Sequence, residues 1–160
     1  MNMLNAAWPF VAGVLLCESV GVVAAVATQS SVRTWYPTLA KPFFTPPDWL
    51  FAPVWIVLYA AMGVAAALVW QAGSEQPRVQ TALWVFAVQL LLNGAWSVVF
   101  FGMRSVTGGL VVIALLFAAL AATAWLFFPI RAAAGWLLAP YLVWVTYATA
   151  LNATVWWMNG

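Results

Sequence analysis

Residues 35–59 read WYPTLAKPFFTPPDWLFAPVWIVLY, and the change of character halfway along this stretch decides the fold. Its first half sets Trp35, Tyr36, Pro37, Pro42, Phe43, Phe44 and the Pro46-Pro47 pair ahead of an apolar run. Proline fixes φ, removes a backbone donor and biases the preceding residue away from helix. The first half therefore reads as a stiff, extended or turn-rich loop whose aromatic faces need apolar surface to cover. The second half, from Trp49 onward, opens a run long enough to cross a ~30 Å hydrocarbon core as a helix of about 20 residues.

The rest of the chain has the same character as that second half. It is 67% apolar and 5% charged, with a mean hydropathy of +1.01, where an ordinary soluble domain carries roughly 25% charged residues. A soluble fold of this length could not hide so much apolar surface, so the class is integral membrane protein. Strands of a membrane barrel would alternate apolar and polar over about 10 residues. The runs here are continuous, so the spanning elements are helices, which satisfy their backbone groups internally. The formal net charge of +2 gives no footprint for nucleic acid or for an acidic partner. A single cysteine, Cys17, excludes an intrachain disulfide, and histidine is absent, which removes the commonest haem ligand and general base. The N-terminus lacks the basic region and cleavage site of a signal peptide, so the first run is expected to be retained.

The expectation is an all-α integral membrane protein, a single domain over residues 1–160. Its five spans fall at about 6–28, 49–70, 79–101, 106–128 and 134–158, with a structured lid loop at 29–48. The other connections are short, which predicts that consecutive helices are antiparallel neighbours. Arg33, Lys41 and Arg104 fall on one side and Arg78 and Arg131 on the other, too even a division for the positive-inside rule to orient the chain. Trp8, Trp49, Trp70, Trp125, Trp136, Trp156 and Trp157 sit near span ends and read as an interfacial aromatic belt.

Polar residues inside spans are costly and face the bundle interior or a cavity. Gln89, Asn93 and Ser97 recur every fourth residue in the third span, which places them on one helix face with Trp96 and Phe100 beside them. In the fifth span Tyr141, Trp144, Ala148, Leu151 and Asn152 share a face, and in the second Trp55 and Tyr59 do so. Hydrogen-bonded helix contacts would explain any one stripe. Three converging stripes beneath an aromatic loop favour an apolar, aromatic-walled cavity with a few orienting polar groups, suited to a large flat ligand. Glu18 is the one ionisable residue near the middle of a span. A hydrogen-bonded, neutral structural acid is favoured there over a proton-coupled role. Two small-residue faces, Gly13/Cys17/Gly21/Ala25 and Ala114/Ala118/Ala122, allow close helix approach, with packing inside the bundle favoured over a homodimer contact.

Taken together, WYPTLAKPFFTPPDW leading into VWIVLYAAMG, QLLLNGAWSVVFFG in the third span and PYLVWVTYATALNATVWWMN in the fifth resemble the tryptophan-rich sensory protein/translocator protein family (TspO/MBR, peripheral benzodiazepine receptor). The resemblance covers nearly the whole chain. It implies a five-helix membrane bundle that binds porphyrin-type tetrapyrroles such as protoporphyrin IX, and in animals cholesterol and benzodiazepine-like ligands, beneath the loop between the first two helices. Matched motif by motif, it implies ligand contacts from Tyr36, Phe44 and Pro46 in the loop and Trp55 and Tyr59 in the second helix. Gln89, Asn93, Trp96 and Phe100 follow from the third helix, and Trp144, Ala148, Leu151 and Asn152 from the fifth. No metal ligand, required cofactor or catalytic residue is implied. Phe43 and Phe44 stand where relatives usually carry a tryptophan, and no basic residue follows Arg131 to complete a sterol-recognition pattern.

A non-enzymatic receptor, sensor or carrier for a hydrophobic small molecule is the favoured reading, in a bacterial cell membrane rather than an outer membrane. Homodimerisation and a bilayer are the partners considered, with no nucleic acid. The alternative is an enzyme that degrades protoporphyrin IX with light and oxygen, with Trp144 and Trp55 as the electron-passing candidates. A nucleophile–base pair, a metal cluster or a nucleotide loop for ordinary catalysis is not found in the sequence.

Overall fold

The computed structural model describes the backbone of residues 3–159 and the side chains of residues 7–159. Five long helices account for most of it: α1 (Met3–Thr34), α2 (Asp48–Gln71), α3 (Pro77–Ser97), α4 (Val106–Phe127) and α5 (Ala132–Asn159). A π-helical turn, Val98–Gly102, continues α3, and a short 3₁₀ turn, Tyr36–Thr38, follows α1. All five helices are long and apolar enough to cross a membrane, and no strand occurs among the described residues. The chain is a multi-pass integral membrane protein.

The helices close into a ring in the order α1, α2, α5, α4, α3, in which consecutive helices are neighbours as expected except for α2 and α3. α2 and α3 are joined by a short turn but touch only lightly, because α2 packs on α1 and α5 while α3 packs on α4 and α1. A pair of aromatic stripes that faces a common interior instead of each other leaves room for a cavity between α2, α3 and α5.

Small residues set the α1–α2 crossing. A Cβ on Gly63 would lie 2.5 Å from the Val14 backbone, and one on Gly13 would lie 2.5 Å from the Gly63 carbonyl oxygen. Gly21 likewise admits the Tyr59 ring. The buried face of α1 then runs through Cys17, Ala24, Thr28 and Ser31, so Ala25, expected on that face, points outward. The Ala114/Ala118/Ala122 stripe of α4 is also exposed on the outer surface. α4 buries Ile113, Leu116, Leu120, Thr123 and Phe127 instead, because large apolar side chains fill the interior space that alanines would leave empty.

α1 runs six residues beyond the expected end at Thr28, so the loop proper is residues 35–47. The polar end of the helix supports itself: Thr28 and Thr34 donate their hydroxyls to the carbonyls of Ala24 and Ser30, each at 2.8 Å. Back-bonding of this kind satisfies the threonine hydroxyls within the helix itself, so they need no partner elsewhere. The seven tryptophans assigned to the interface belt are all exposed.

Candidate functional site

At the end of the bundle where the loop crosses, Tyr36, Phe51, Trp55, Trp96, Phe100, Phe101, Trp144, Ala148, Leu151, Asn152 and Val155 line a narrow cavity of about 30 Å³. That is room for one or two water molecules. Its walls come from α2, α5, the end of α3 and the loop. The π turn shapes one wall. The Met103 amide donates to the Val98 carbonyl at 2.8 Å, an i→i−5 bond that fits an extra residue into the turn. Phe100 and Phe101 therefore both reach the cavity, with ring centroids 4.7 Å apart and planes at 74°. Trp96 stacks on Phe100 at 5.6 Å and 27°. Behind them, a Cβ on Gly109 would sit 2.6 Å from the Phe100 ring and 3.0 Å from Asn152 Oδ1, so that glycine lets α4 back the wall. Across the cavity Trp55 and Trp144 meet edge to face at 6.4 Å, and Phe51 meets Trp144 at 6.0 Å.

Polar groups sit in two layers. In the upper layer Trp96 donates Nε1–H to Asn152 Oδ1 at 3.1 Å, and Asn152 Nδ2 donates to the Val106 carbonyl at 3.1 Å. Asn152 is thereby locked between α3 and α4 while lining the cavity. In the layer below, the Tyr59 hydroxyl donates to Asn93 Oδ1 and Asn93 Nδ2 donates to the Tyr141 hydroxyl. This chain ties α2, α3 and α5 together under the floor, where Trp55 rests on Tyr59 at 5.5 Å and on Tyr141 at 6.1 Å. Deeper still, Gln89 is fully buried; its amide nitrogen reaches only the Met62 sulfur at 3.7 Å, and its carbonyl oxygen has no partner. Buried polar groups without partners are uncommon, which makes this glutamine an unsatisfied acceptor below the site.

The loop closes the top. Lys41 Nζ donates to the carbonyls of Tyr36, Leu39 and Pro37 at 3.0, 3.3 and 3.4 Å and lies 4.8 Å from the Tyr36 ring centroid. One lysine thus ties the strap into a compact knot. Tyr36 packs edge-on to Phe101 at 5.3 Å and Phe100 at 6.3 Å. Burial, then the Asp48 carboxylate and Tyr147, push its phenol up to about 12, so it stays neutral throughout the physiological range.

Of the residues implied by the motif resemblance, the structure brings Tyr36, Trp55, Trp96, Phe100, Trp144, Ala148, Leu151 and Asn152 to the cavity wall. Tyr59, Asn93 and Gln89 lie beneath it, in the hydrogen-bonded layers. Phe44 and Pro46 are half-buried in the loop without lining the cavity; the Phe44 ring meets Tyr147 at 6.3 Å instead. Phe51, Phe101 and Val155 line it unforeseen. Val155 follows Leu151 and Asn152 at helical spacing and was legible. Phe101 was not, because an α-helical period turns it away from Phe100 and only the π turn returns it. Phe43 is fully exposed at the loop crest. Glu18 is partly exposed on α1 and makes no side-chain hydrogen bond or ion pair among the described residues, so the hydrogen-bonded structural acid expected there is not seen. No group of three or more His, Cys, Asp or Glu side chains converges among the described residues.

Five membrane-spanning helices with an aromatic-walled cavity beneath a proline-rich loop define a class of multi-pass helical membrane protein. The family model of the TspO/MBR family matches residues 13–158. The chain is 42% identical over 144 residues to the tryptophan-rich protein TspO of Chlorobaculum tepidum, covering 90% of this chain and 91% of that one. It is 41% identical over 123 residues to the translocator protein of Homo sapiens, covering 76% and 73%. It is 44% identical over 119 residues to the tryptophan-rich sensory protein of Cereibacter sphaeroides, covering 74% and 72%. The chain belongs to the TspO/MBR family.

Proposed function

We propose that this protein is a membrane receptor or carrier for porphyrin-type tetrapyrroles, which it takes up between α2, α3 and α5 beneath the 35–47 loop. The observation that carries the reading is the wall itself. Trp55, Trp96, Phe100 and Trp144 converge on one cavity with a single locked amide, Asn152, among them. Aromatic faces supply stacking area for a flat macrocycle, and an amide can orient a polar edge. The relatives named translocator and sensory protein agree with a transport or signalling role.

The cavity of about 30 Å³ is a closed form, since pockets for organic ligands run to roughly 300–1,000 Å³. Uptake of a macrocycle therefore requires the loop to lift and the wall aromatics to part. The test is titration of the protein in lipid nanodiscs with protoporphyrin IX, followed by tryptophan quenching and porphyrin emission. Saturable binding is expected, weakened about tenfold or more by Ala148→Trp, which fills the cavity with a bulk the wall cannot absorb. Absence of saturation, or equal affinity in Ala148→Trp, would sink the reading. Illumination of the complex adds a second readout: stoichiometric bleaching lost in Trp144→Phe would replace the receptor by a photochemical enzyme.

A further inference from the structure

The loop is held down at two points by side chains of α5 that are absent from the cavity wall. At the C-terminal end of α5, Asn159 exchanges two hydrogen bonds with a single loop residue. The Ala40 amide donates to Asn159 Oδ1 at 2.9 Å, and Asn159 Nδ2 donates to the Ala40 carbonyl at 2.9 Å. The pair has the reciprocal pattern of two residues in an antiparallel ladder. Asn159 Nδ2 also donates to the Val155 carbonyl of its own helix at 2.7 Å, which holds the amide in the orientation that serves both bonds. Three turns earlier on the same helix, the Tyr147 hydroxyl donates to the Phe44 carbonyl. Ahead of these points the strap is stiffened internally by Lys41, whose ammonium gathers the carbonyls of Tyr36, Pro37 and Leu39. A strap knotted in itself and tied to the bundle by a few bonds opens by releasing the ties, because the charge-assisted bonds of the knot are stronger than the neutral bonds of the ties.

We propose that Asn159 and Tyr147 are the latches of the lid, and that breaking their bonds to Ala40 and Phe44 sets the rate at which the cavity opens. The inference builds on the ligand reading above but is separable from it, since lid opening is measurable without any ligand. Asn159 is exposed, and neither it nor Tyr147 belongs to the cavity lining. They act on access as positioning residues. Latches that hold the lid over an empty and a filled cavity alike would slow entry and exit equally, so releasing them is expected to speed both.

The test uses the full chain in nanodiscs, wild type against Asn159→Asp, Asn159→Leu, Tyr147→Phe and the Asn159→Leu/Tyr147→Phe pair. Asn159→Asp keeps the shape but turns a carboxylate oxygen toward the Ala40 and Val155 carbonyls. Tyr147→Phe keeps the ring and deletes only the hydroxyl. Hydrogen exchange of the peptide spanning residues 36–44 is expected to accelerate on the order of tenfold per latch, the factor for losing one or two neutral hydrogen bonds. Peptides from the α2–α5 core should be unchanged. Stopped-flow mixing with protoporphyrin IX should show association and dissociation rate constants rising by the same factor, with Kd nearly constant. Unchanged loop exchange in Asn159→Leu and in Tyr147→Phe would overturn the latch. Faster exchange with an unaltered association rate, or a weakened Kd carried by dissociation alone, would overturn its control of access. If wild type shows no saturable porphyrin signal, the tetrapyrrole reading falls, and the exchange data alone decide whether these residues hold the lid.

Discussion

Asn93 shows how one side chain organises the interior. It accepts from Tyr59 and donates to Tyr141, so both phenols beneath the cavity floor depend on it, and it is 1% exposed. Removing it would strand two hydroxyls away from water, and each buried unpaired polar group costs roughly 1–3 kcal/mol. Asn93→Leu is therefore expected to lower stability by about 2–4 kcal/mol, read as a drop in the midpoint of thermal or denaturant unfolding in detergent. Asn93→Asp should lose less, because a protonated carboxyl can still accept from one phenol and donate to the other. Equal loss in the two variants would mean that the amide's volume, and not its hydrogen bonds, supports the floor.

Among the elements, α1 and the end of α3 depart furthest from regular expectation, each for a local reason. α1 approaches α2 so closely at Gly13 and Gly63 that neither position has space for a Cβ. In a membrane, where lipid tails are as apolar as side chains, such close approach is a main source of helix association. Gly63→Ala would drive a methyl group into the Val14 backbone at 2.5 Å, and backbone cannot step aside as a flexible side chain can. Overpacking of this kind costs typically 1–3 kcal/mol. We expect Gly63→Ala to fall within that range, whereas Gly94→Ala, whose nearest obstacle is the Val20 side chain at 3.2 Å, should fall well below it. The two unfolding midpoints compared in the same detergent check this. The π turn works differently: it adds one residue to the circumference and so aims two successive phenylalanines at one cavity.

For the whole molecule, five spans place the 35–47 loop, the Gly102–Ser105 end and the C-terminus of α5 on one side, with residues 72–76 on the other. The latch between Ala40 and Asn159 requires that sidedness. A cysteine placed at exposed Phe43 and one placed at exposed Met158 should both react with a membrane-impermeant maleimide added to the same side of sealed vesicles. One at Glu75 should react only from the opposite side. Buried Cys17 should contribute no background labelling from either. Labelling of residues 43 and 75 from a common side would require an even number of crossings between them and would exclude the five-span bundle.

What the sequence determined by itself is whatever depends on composition and local periodicity. Apolar run lengths set five membrane helices, prolines set a stiff loop, and four-residue spacing set the stripes that meet at Trp55, Trp96, Trp144 and Asn152. These are properties of a residue and its near neighbours, so one dimension suffices to read them. The tertiary structure alone decided the ring order that separates α2 from α3, the outward turn of Ala114/Ala118/Ala122, the π turn that recruits Phe101, and the division of the polar stripe into a wall residue, Asn152, and a buried network around Asn93. It also decided that Asn159 meets Ala40 across 119 residues of chain. Such outcomes depend on which surfaces compete for the same interior space, and that competition is settled only when all the helices pack at once.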